Sequence, residues 1–497
     1  MAESGDEFPP ERLAAVFKHF VLDVANSAHG AAGLLLQRIT DHLGGNPSLF
    51  PSIAEDFETF EHPNVQLALD AYLARSGRSF ELVGVSAENK RFMELGFSDL
   101  ISRGSPHGFA PVGEGPVDYV NVHLAGDRVI ACVQFGLYFI KEGDRRLLAL
   151  VTGPGEHSSR QRLRVEVMTS RPEDAQNFHA EVKRLAQEVN VYRGHVISLS
   201  PGRIGPWQQP LVEFHSLPKV TRNDVVLPAD LLERIERHTI GFAQRSAELL
   251  ASGRSLKRGL LLYGLPGTGK TLTVMYLAGQ MKDRTVILTT GRAMGLVPVV
   301  AKMARSLAPS MVVLEDVDLI AEERGQPMMP TGPLLFELLN EMDGLRDDLD
   351  VIFVLTTNRP DILEPALAAR PGRIDLAVEL PLPDAAGRHR LLELYARGLT
   401  LRDVHLETFV ESTEGVSPAY IKELLRKAAL LAASAGRGAV VTDKDLSDAM
   451  EELSKGGELA ERILGYRPQA GVPERHRAFP FPPTGFPTTI TRVIPSE

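Results

Sequence analysis

Residues 259–271 read GLLLYGLPGTGKT, and the fold turns on how that stretch is understood. Leu260 to Tyr263 is an apolar run short enough for a buried strand, and Thr271 to Met281 carries a helical pattern. Between them Gly264, Leu265, Pro266, Gly267, Thr268, Gly269, Lys270 and Thr271 fit the spacing GxxxxGK followed by Ser or Thr, with Leu272 next. A strand that turns this tightly into a helix brings successive backbone N–H groups together on phosphate oxygens. Glycines allow the close approach and the unusual dihedrals, and the helix N-terminus adds positive potential. Read this way, Lys270 reaches the β- and γ-phosphates of a nucleotide and Thr271 offers its hydroxyl to Mg²⁺.

Working outward, Met311 to Leu314 is a second buried-strand run, ending in Glu315-Asp316-Val317-Asp318. Acids at the C-terminal end of a strand beside a phosphate loop are where a metal ligand and a water-orienting base belong. A third run, Val351 to Leu355, ends in Thr356-Thr357-Asn358, which sets Asn358 at the same sheet edge to help position the attacking water. Further on, Arg370-Pro371-Gly372-Arg373 presents two guanidiniums on a turn. Alternation of strands and helices from about Leu211 to Gly457 is the pattern of an α/β domain followed by a helical piece.

Four ordered words, GLLLYGLPGTGKT, VVLEDVD, TTNRPDILEPAL and ARPGRID, resemble the AAA subgroup of the AAA+ ATPases. The resemblance covers roughly Asp224 to Met450. It implies a P-loop αβα nucleotide-binding domain with a helical lid, ATP and Mg²⁺ as ligands, and a ring-shaped homo-oligomer, usually a hexamer, with ATP at subunit interfaces. Carried over by position, Gly264 to Leu272 hold the nucleotide, with Lys270 and Thr271 in Walker A. Glu315 and Asp316 are Walker B, with Glu315 and Thr271 on the metal and Asp316 as the base. Asn358 is sensor 1, and Arg370 and Arg373 are arginine fingers reaching a neighbouring subunit's γ-phosphate. In the lid, Ile421, Leu424, Leu425, Ala428 and Leu431 make an amphipathic helix, and Ala419 keeps one of the small residues that the family sets near adenine. Its neighbours Pro418 and Tyr420 depart from the family pattern.

Two departures bear on activity. The family's Walker B ends Asp-Glu, whereas this chain has Glu315-Asp316, an inversion it shares with the mitochondrial Rieske-protein translocase branch. An aspartate base is shorter than glutamate by about 1–1.5 Å, one extended methylene, and a misplacement of about 1 Å can cost roughly 100-fold in rate. The family's ring translocases also carry an aromatic–hydrophobic–Gly pore loop. Here Thr289-Thr290-Gly291-Arg292-Ala293-Met294-Gly295 has no aromatic, and it reads as a plain strand-to-helix connection with Met294-Gly295 as the alternative grip.

The remaining chain divides by texture. Residues 1–10 are polar; a helical pattern begins at Glu11, and a second helix is expected around Pro63 to Ala74. Between Val117 and Val151 the texture is that of strands, Leu163, Val165 and Val167 alternate again, and a helix follows at Pro172 to Val189, so 11–199 reads as an α+β domain closed by a strand at Val196-Ile197. The Pro/Gly-rich 200–210 reads as a linker, 211–384 as the nucleotide-binding part, 385–457 as the lid and 458–497 as a Pro-rich tail.

Composition bounds the function. The 497 residues are 43% hydrophobic and 24% charged, with formal charge −10, a balance that fits a globular chain and argues against nucleic acid as the partner. The single Cys132 rules out a disulfide framework. Without a membrane-length apolar run or a signal-peptide pattern, the expectation is a cytoplasmic protein with no membrane partner. No HExxH motif occurs, which excludes a fused zinc protease. The leading expectation is an ATPase that remodels a protein substrate chosen by the N-terminal domain. The alternatives are a nucleotide-gated scaffold with weak hydrolysis and, behind it, nucleic-acid remodelling.

Overall fold

A computed structural model describes residues 34–86, 95–101, 112–154, 162–204, 207–289, 296–318, 340–341, 347–361 and 374–454. They form two compact units, one ending at Pro381 and the other beginning at Leu382. The expected helix from Glu11 lies outside the described residues.

The first unit holds two sheets. Seven antiparallel strands make the first: β1 (Ser52–Glu58), β2 (Arg78–Ser86), β3 (Gly113–Gly115), β4 (Asp118–His123), β5 (Val129–Glu142), β6 (Arg145–Thr152) and β7 (Arg162–Thr169). Their order is β1-β7-β6-β5-β2-β3, with β4 beside the N-terminal half of β5. Helices α1 (His62–Leu73) and α2 (Pro172–Glu188) cover one face through Val65, Leu69, Phe178 and Val182. The opposite face packs on Leu35, Ile39, Phe97 and Leu100.

Strand β5 serves both faces, and its alternation changes phase midway. Val133 joins Tyr138 and Ile140 on the helix-covered side, while Phe135, Leu137 and Phe139 point the other way. The phase change is a bulge, because Tyr119 faces Val133 but Asp118 faces Phe135, leaving Gln134 as the extra residue. Pairing with β6 begins only at Phe135. The Val133 backbone is satisfied instead by α1: its N–H donates to Gln66 Oε1 at 2.9 Å, and its carbonyl lies 2.9 Å from His62 Nε2. That accounts for two of the three buried polar side chains of this helix, His62 and Gln66.

The second sheet contains β8 (Val196–Ile204), β9 (Trp207–His215), β10 (Arg258–Tyr263), β11 (Thr285–Thr289), β12 (Ser310–Leu314), β13 (Val351–Thr357) and β14 (Leu376–Glu379), in the order β14-β10-β13-β12-β11-β8-β9. All pairs are parallel except β8–β9. Leu261, Ile287, Val312 and Phe353 face α5 (Val297–Ser306), and Leu260, Leu262, Val313 and Val354 face α3 (Ala229–Glu236) and α4 (Lys270–Gln280). The result is a three-layer αβα sandwich, and burial on both faces is why these strands read as unbroken apolar runs.

The stretch expected to link two domains is a hairpin. Val196 to Ser198 pair in parallel with Val286 to Leu288, so this strand extends the parallel sheet rather than closing the first one. β9 then runs back along β8 as far as Trp207 opposite Ile204. The prolines are tolerated because Pro201 lies beyond the part of β8 bonded to β11 and Pro210 lies on the outermost strand.

The second unit consists of α6 (Ala385–Tyr395), α7 (Leu406–Ser412), α8 (Pro418–Ser434), α9 (Asp443–Ser454) and a parallel pair, β15 (Thr400–Arg402) with β16 (Val440–Thr442). The Ser417 side chain caps α8 by accepting from Tyr420 N at 3.2 Å, and Pro418 takes the first helical position, where its missing N–H costs nothing. Ile421, Leu424, Leu425 and Ala428 are buried on its inner face. No helix of the described residues is long and apolar enough to cross a membrane.

Candidate active site

The turn from β10 into α4 depends on glycine at specific points. Gly264, Gly267 and Gly269 have φ of 148°, 78° and 96°, in the region that disfavours side chains. At Gly264 a Cβ would also lie 2.5 Å from the Leu380 carbonyl oxygen, so β14's exit packs directly on the loop. Thr268 Oγ1 donates to Leu265 O at 2.9 Å and braces the turn. Among the described residues no acceptor is paired with the N–H groups of Gly267, Gly269, Lys270 or Thr271. This concave run of free donors at a helix start is what anionic oxygens bind.

Lys270 is buried to 7% exposure, and its Nζ donates to Gly264 O and Leu265 O at 2.9 and 3.0 Å. Burial lowers its pKa from the ordinary lysine value, and the charges of Asp316 and Asp318 partly oppose that. The ammonium therefore sits over the loop, within the field of two acids that follow β12, the next strand but one.

Those acids follow β12. Glu315 N donates to Thr289 O at 3.1 Å, which continues the sheet edge, and the chain then kinks at Asp316, whose φ is 50°. Aspartate tolerates this left-handed conformation better than most residues. Asp316 N donates to Thr356 Oγ1 at 3.1 Å and Val317 N to Thr356 O at 3.0 Å, fixing the kink to the end of β13. Asn358 Nδ2 then donates to Asp316 Oδ1 at 3.1 Å. Among the described residues no hydrogen bond or ion pair occupies the Glu315 carboxylate.

Asp318, which the spacing leaves without a role, is tied to the same strand end. It is buried to 6% exposure, and its Oδ1 accepts from Thr357 Oγ1 at 2.8 Å and from Asn358 N at 3.2 Å. The signal was present in the alternation: Asp316 and Asp318 lie two apart after a buried strand, but nothing local shows which loop the second acid ties down.

The structure thus brings Gly264 to Leu272, Asp316 and Asn358 to one sheet edge, with Glu315 at the end of the same strand. Arg370, Arg373 and the Met294-Gly295 pair lie outside the described residues. Ala419 is half-buried in the first turn of α8, in the second unit. The donor set suits a nucleotide with Mg²⁺: free N–H groups and a buried ammonium for phosphates, and the exposed Thr271 hydroxyl and the unengaged Glu315 carboxylate for the metal. Among the described residues no three His, Cys, Asp or Glu side chains are grouped to hold a metal.

Comparison with known proteins agrees. Residues 260–382 match the family model of the ATPase family associated with various cellular activities (AAA). An ATP-dependent zinc metalloprotease FtsH of Acaryochloris marina is 35% identical over 240 residues, 45% of this chain and 36% of that protein. An FtsH of Synechococcus sp. is 33% identical over 270 residues, 52% of this chain and 42% of that protein, and one of Thermus thermophilus is 33% identical over 263 residues, 50% and 42%. The chain spans less than half the length of these relatives. The αβα sandwich, the glycine-dependent turn and the family match together make residues 260–382 an AAA ATPase domain, an enzyme module that uses ATP with Mg²⁺.

Proposed function

We propose that this chain hydrolyses ATP in a homo-oligomeric ring, usually a hexamer in this family, and uses the cycle to remodel a protein substrate engaged by its N-terminal sheet. The observation that carries the reading is the juxtaposition of the buried Lys270, the free N–H groups of the glycine turn and the Asn358–Asp316 hydrogen bond. The loop N–H groups and Lys270 bind and orient the phosphates. Thr271 and Glu315 would hold Mg²⁺, which supplies countercharge to the phosphates when bound. Asp316, steered by Asn358, orients the attacking water and accepts its proton at a carboxylate oxygen. Arg370 and Arg373 meet transition-state charge in a neighbouring subunit. Each of these roles extends the family's pattern to this chain's own residues.

The protease part of the relatives' name is not carried over, since the similarity spans 240 to 270 residues and less than half of each relative. A second reading, a nucleotide-gated scaffold that hydrolyses poorly, is favoured by one observation: the acid bonded to Asn358 is the shorter aspartate. Mg²⁺-ATP turnover measured across protein concentration, with Lys270→Ala and Arg373→Ala as controls, separates them. Turnover per subunit that rises with concentration and disappears in both variants supports the ring ATPase. Nucleotide binding without turnover at any concentration overturns it in favour of the scaffold.

A further inference from the structure

The nucleotide domain has a second recess at the other end of β10. It has a volume of about 370 Å³ and is lined by Arg234, Arg237, His238, Phe242, Arg245 and Leu249, with Arg258 and Leu376 behind them. Arg258 is the first residue of β10 and Gly264 follows the last. At about 3.3 Å per residue the recess lies roughly 20 Å along the strand from the phosphate loop.

The chain reaches the recess through a π-helical turn, Arg237–Gly241, inserted between α3 and the helical residues Phe242–Gln244. Such turns interrupt ordinary helices and recur at functional sites. From Arg234 to Arg258 the sequence carries six Lys or Arg against two Glu, in a chain whose net charge is −10.

Three of the four arginines lining the recess have no carboxylate partner among the described residues, Arg258 being the exception. Several arginines elsewhere in the unit are paired: Arg38 with Glu114, Arg222 with Glu236, Arg284 with Asp350, Arg305 with Glu341. Among the described residues Arg234, Arg237 and Arg245 have no acidic partner, and Arg245 donates only to Gly241 O at 3.3 Å. Two nearby acids are already engaged. Glu236 accepts from Arg222 and Tyr276, and Asp375 accepts from Gly259 N at 2.9 Å and faces Arg258 at 3.8 Å.

The wall beside them is apolar. Phe242 is buried with the Arg258 guanidinium 4.3 Å from its ring centroid, and Leu249 and Leu376 complete that side. His238 adds an unused polar group: its Nε2 is shielded from water and has no hydrogen-bond partner. Burial, with Arg258 in support and Asp375 opposing, keeps that imidazole's pKa below its usual value and so uncharged at neutral pH.

Guanidiniums present planar forks that match phosphate oxygens two at a time. A volume near 370 Å³ is at the small end of ligand sites and suits a nucleotide-sized molecule. We propose that this recess is a second ligand site, which takes a small organic phosphate of nucleotide size through Arg234, Arg237 and Arg245 and seats the body of that molecule against Phe242 and Leu249.

The site is independent of the phosphate loop, so its test uses the full chain carrying Lys270→Ala. AMP and inorganic phosphate are titrated calorimetrically at low salt. The expected result is one AMP per chain, bound at least tenfold more tightly than inorganic phosphate. Affinity should then fall at least tenfold when Arg237→Gln and Arg245→Gln are added. The ligand-free thermal midpoint of that variant should match its parent, which shows that the fold survives. Absence of saturable AMP binding, equal affinity for phosphate and AMP, or AMP affinity indifferent to the arginine changes would each overturn the proposal. So would a single-stranded oligonucleotide that binds more tightly than AMP and loses affinity over several decades with added salt, which would mark a nucleic-acid surface instead.

Discussion

Asp318 offers the sharpest test of how the site is held. Its carboxylate is buried, and one oxygen receives both the Thr357 hydroxyl and the Asn358 backbone N–H. Asp318→Ala leaves two donors without a partner, and each unsatisfied buried group costs about 1–3 kcal/mol, so the variant should lose about 2–6 kcal/mol. Asp318→Asn keeps an oxygen in place and gives up only the charge-assisted part, about 1–3 kcal/mol for the two bonds. Turnover should follow a different scale. Asn358 is fixed at two points, by Asp318 through its backbone and against Asp316 through its side chain. Releasing the first point frees the second, and a displacement of about 1 Å in a group that aligns a reactant costs roughly 100-fold in rate.

The assays are urea unfolding followed by fluorescence of Trp207, the single tryptophan, which lies in β9 of the same sheet, and steady-state phosphate release. The expected pattern is a lower unfolding midpoint and a turnover loss near 100-fold for Asp318→Ala. Nucleotide affinity should be largely kept, because the glycine turn is untouched, and Asp318→Asn should fall between. An Asp318→Ala protein with a wild-type midpoint and wild-type turnover would refute the assignment.

Three further outcomes are expected. Lys270→Met should leave the nucleotide-free thermal midpoint unchanged or raised. The lysine's folded pKa lies below its ordinary value, so its buried charge costs stability below the folded pKa, and that cost fades as pH rises through the folded value towards 10.5. The same variant should lose the stabilisation of about 2.7 kcal/mol that ATP at 100 times its Kd would give; a lower ligand-free midpoint would count against the sign of this argument. Cys132 is fully buried in β5, and burial pushes its thiol up to about 12, so iodoacetamide at pH 8 should modify it only after unfolding, as read by mass spectrometry. His405 Nδ1 lies 2.7 Å from Asp443 Oδ2 on the surface of the second unit, which raises the imidazole above 6.5. Its contribution is present below that pH and lost as pH rises through the folded value, and NMR titration should show Asp443→Asn returning it towards 6.5.

What could be read from the sequence is what depends on neighbours in the chain. The glycine turn was legible because each glycine answers a backbone requirement within eight residues, and positive φ at Gly264, Gly267 and Gly269 follows the spacing. Helix α2 was legible from Phe178, Val182 and Leu185 on one face, and the buried parallel strands from their unbroken runs. What escaped the sequence depends on partners far away. Asp318 looks like any acid after a strand until β13 delivers Thr357 and Asn358 to it, some 40 positions later. Gln134 looks like one polar residue in a long strand, yet it reverses which face every later side chain takes. The spacing of Arg234, Arg237 and Arg245 gives no hint of the apolar wall from Phe242 and Leu376, the second of which comes from another part of the chain.

The boundary drawn at residues 200–210 failed for a related reason, and the failure changes how the first unit should be understood. Proline and glycine signal a break only where a strand needs hydrogen bonds on both sides, and β8 and β9 place them where one side is free. The sheets on either side of that boundary also share a core. Phe60, one turn beyond β1, is buried among Tyr192, Ile197, Leu199 and Met303, and its carbonyl accepts from Tyr192 Oη at 2.8 Å. Asn64 of α1 accepts from Val191 N at 2.9 Å, and Glu58 pairs with Lys302 on α5. A fragment starting at Leu211 would therefore strip β8 from β11 and uncover Ile287 and Met303, and a fragment ending at Leu199 would carry half a hairpin without its partner strand. The antiparallel sheet is anchored on α5 and β8, so a displacement of α5 in the nucleotide domain acts on it through packed side chains rather than through a tether.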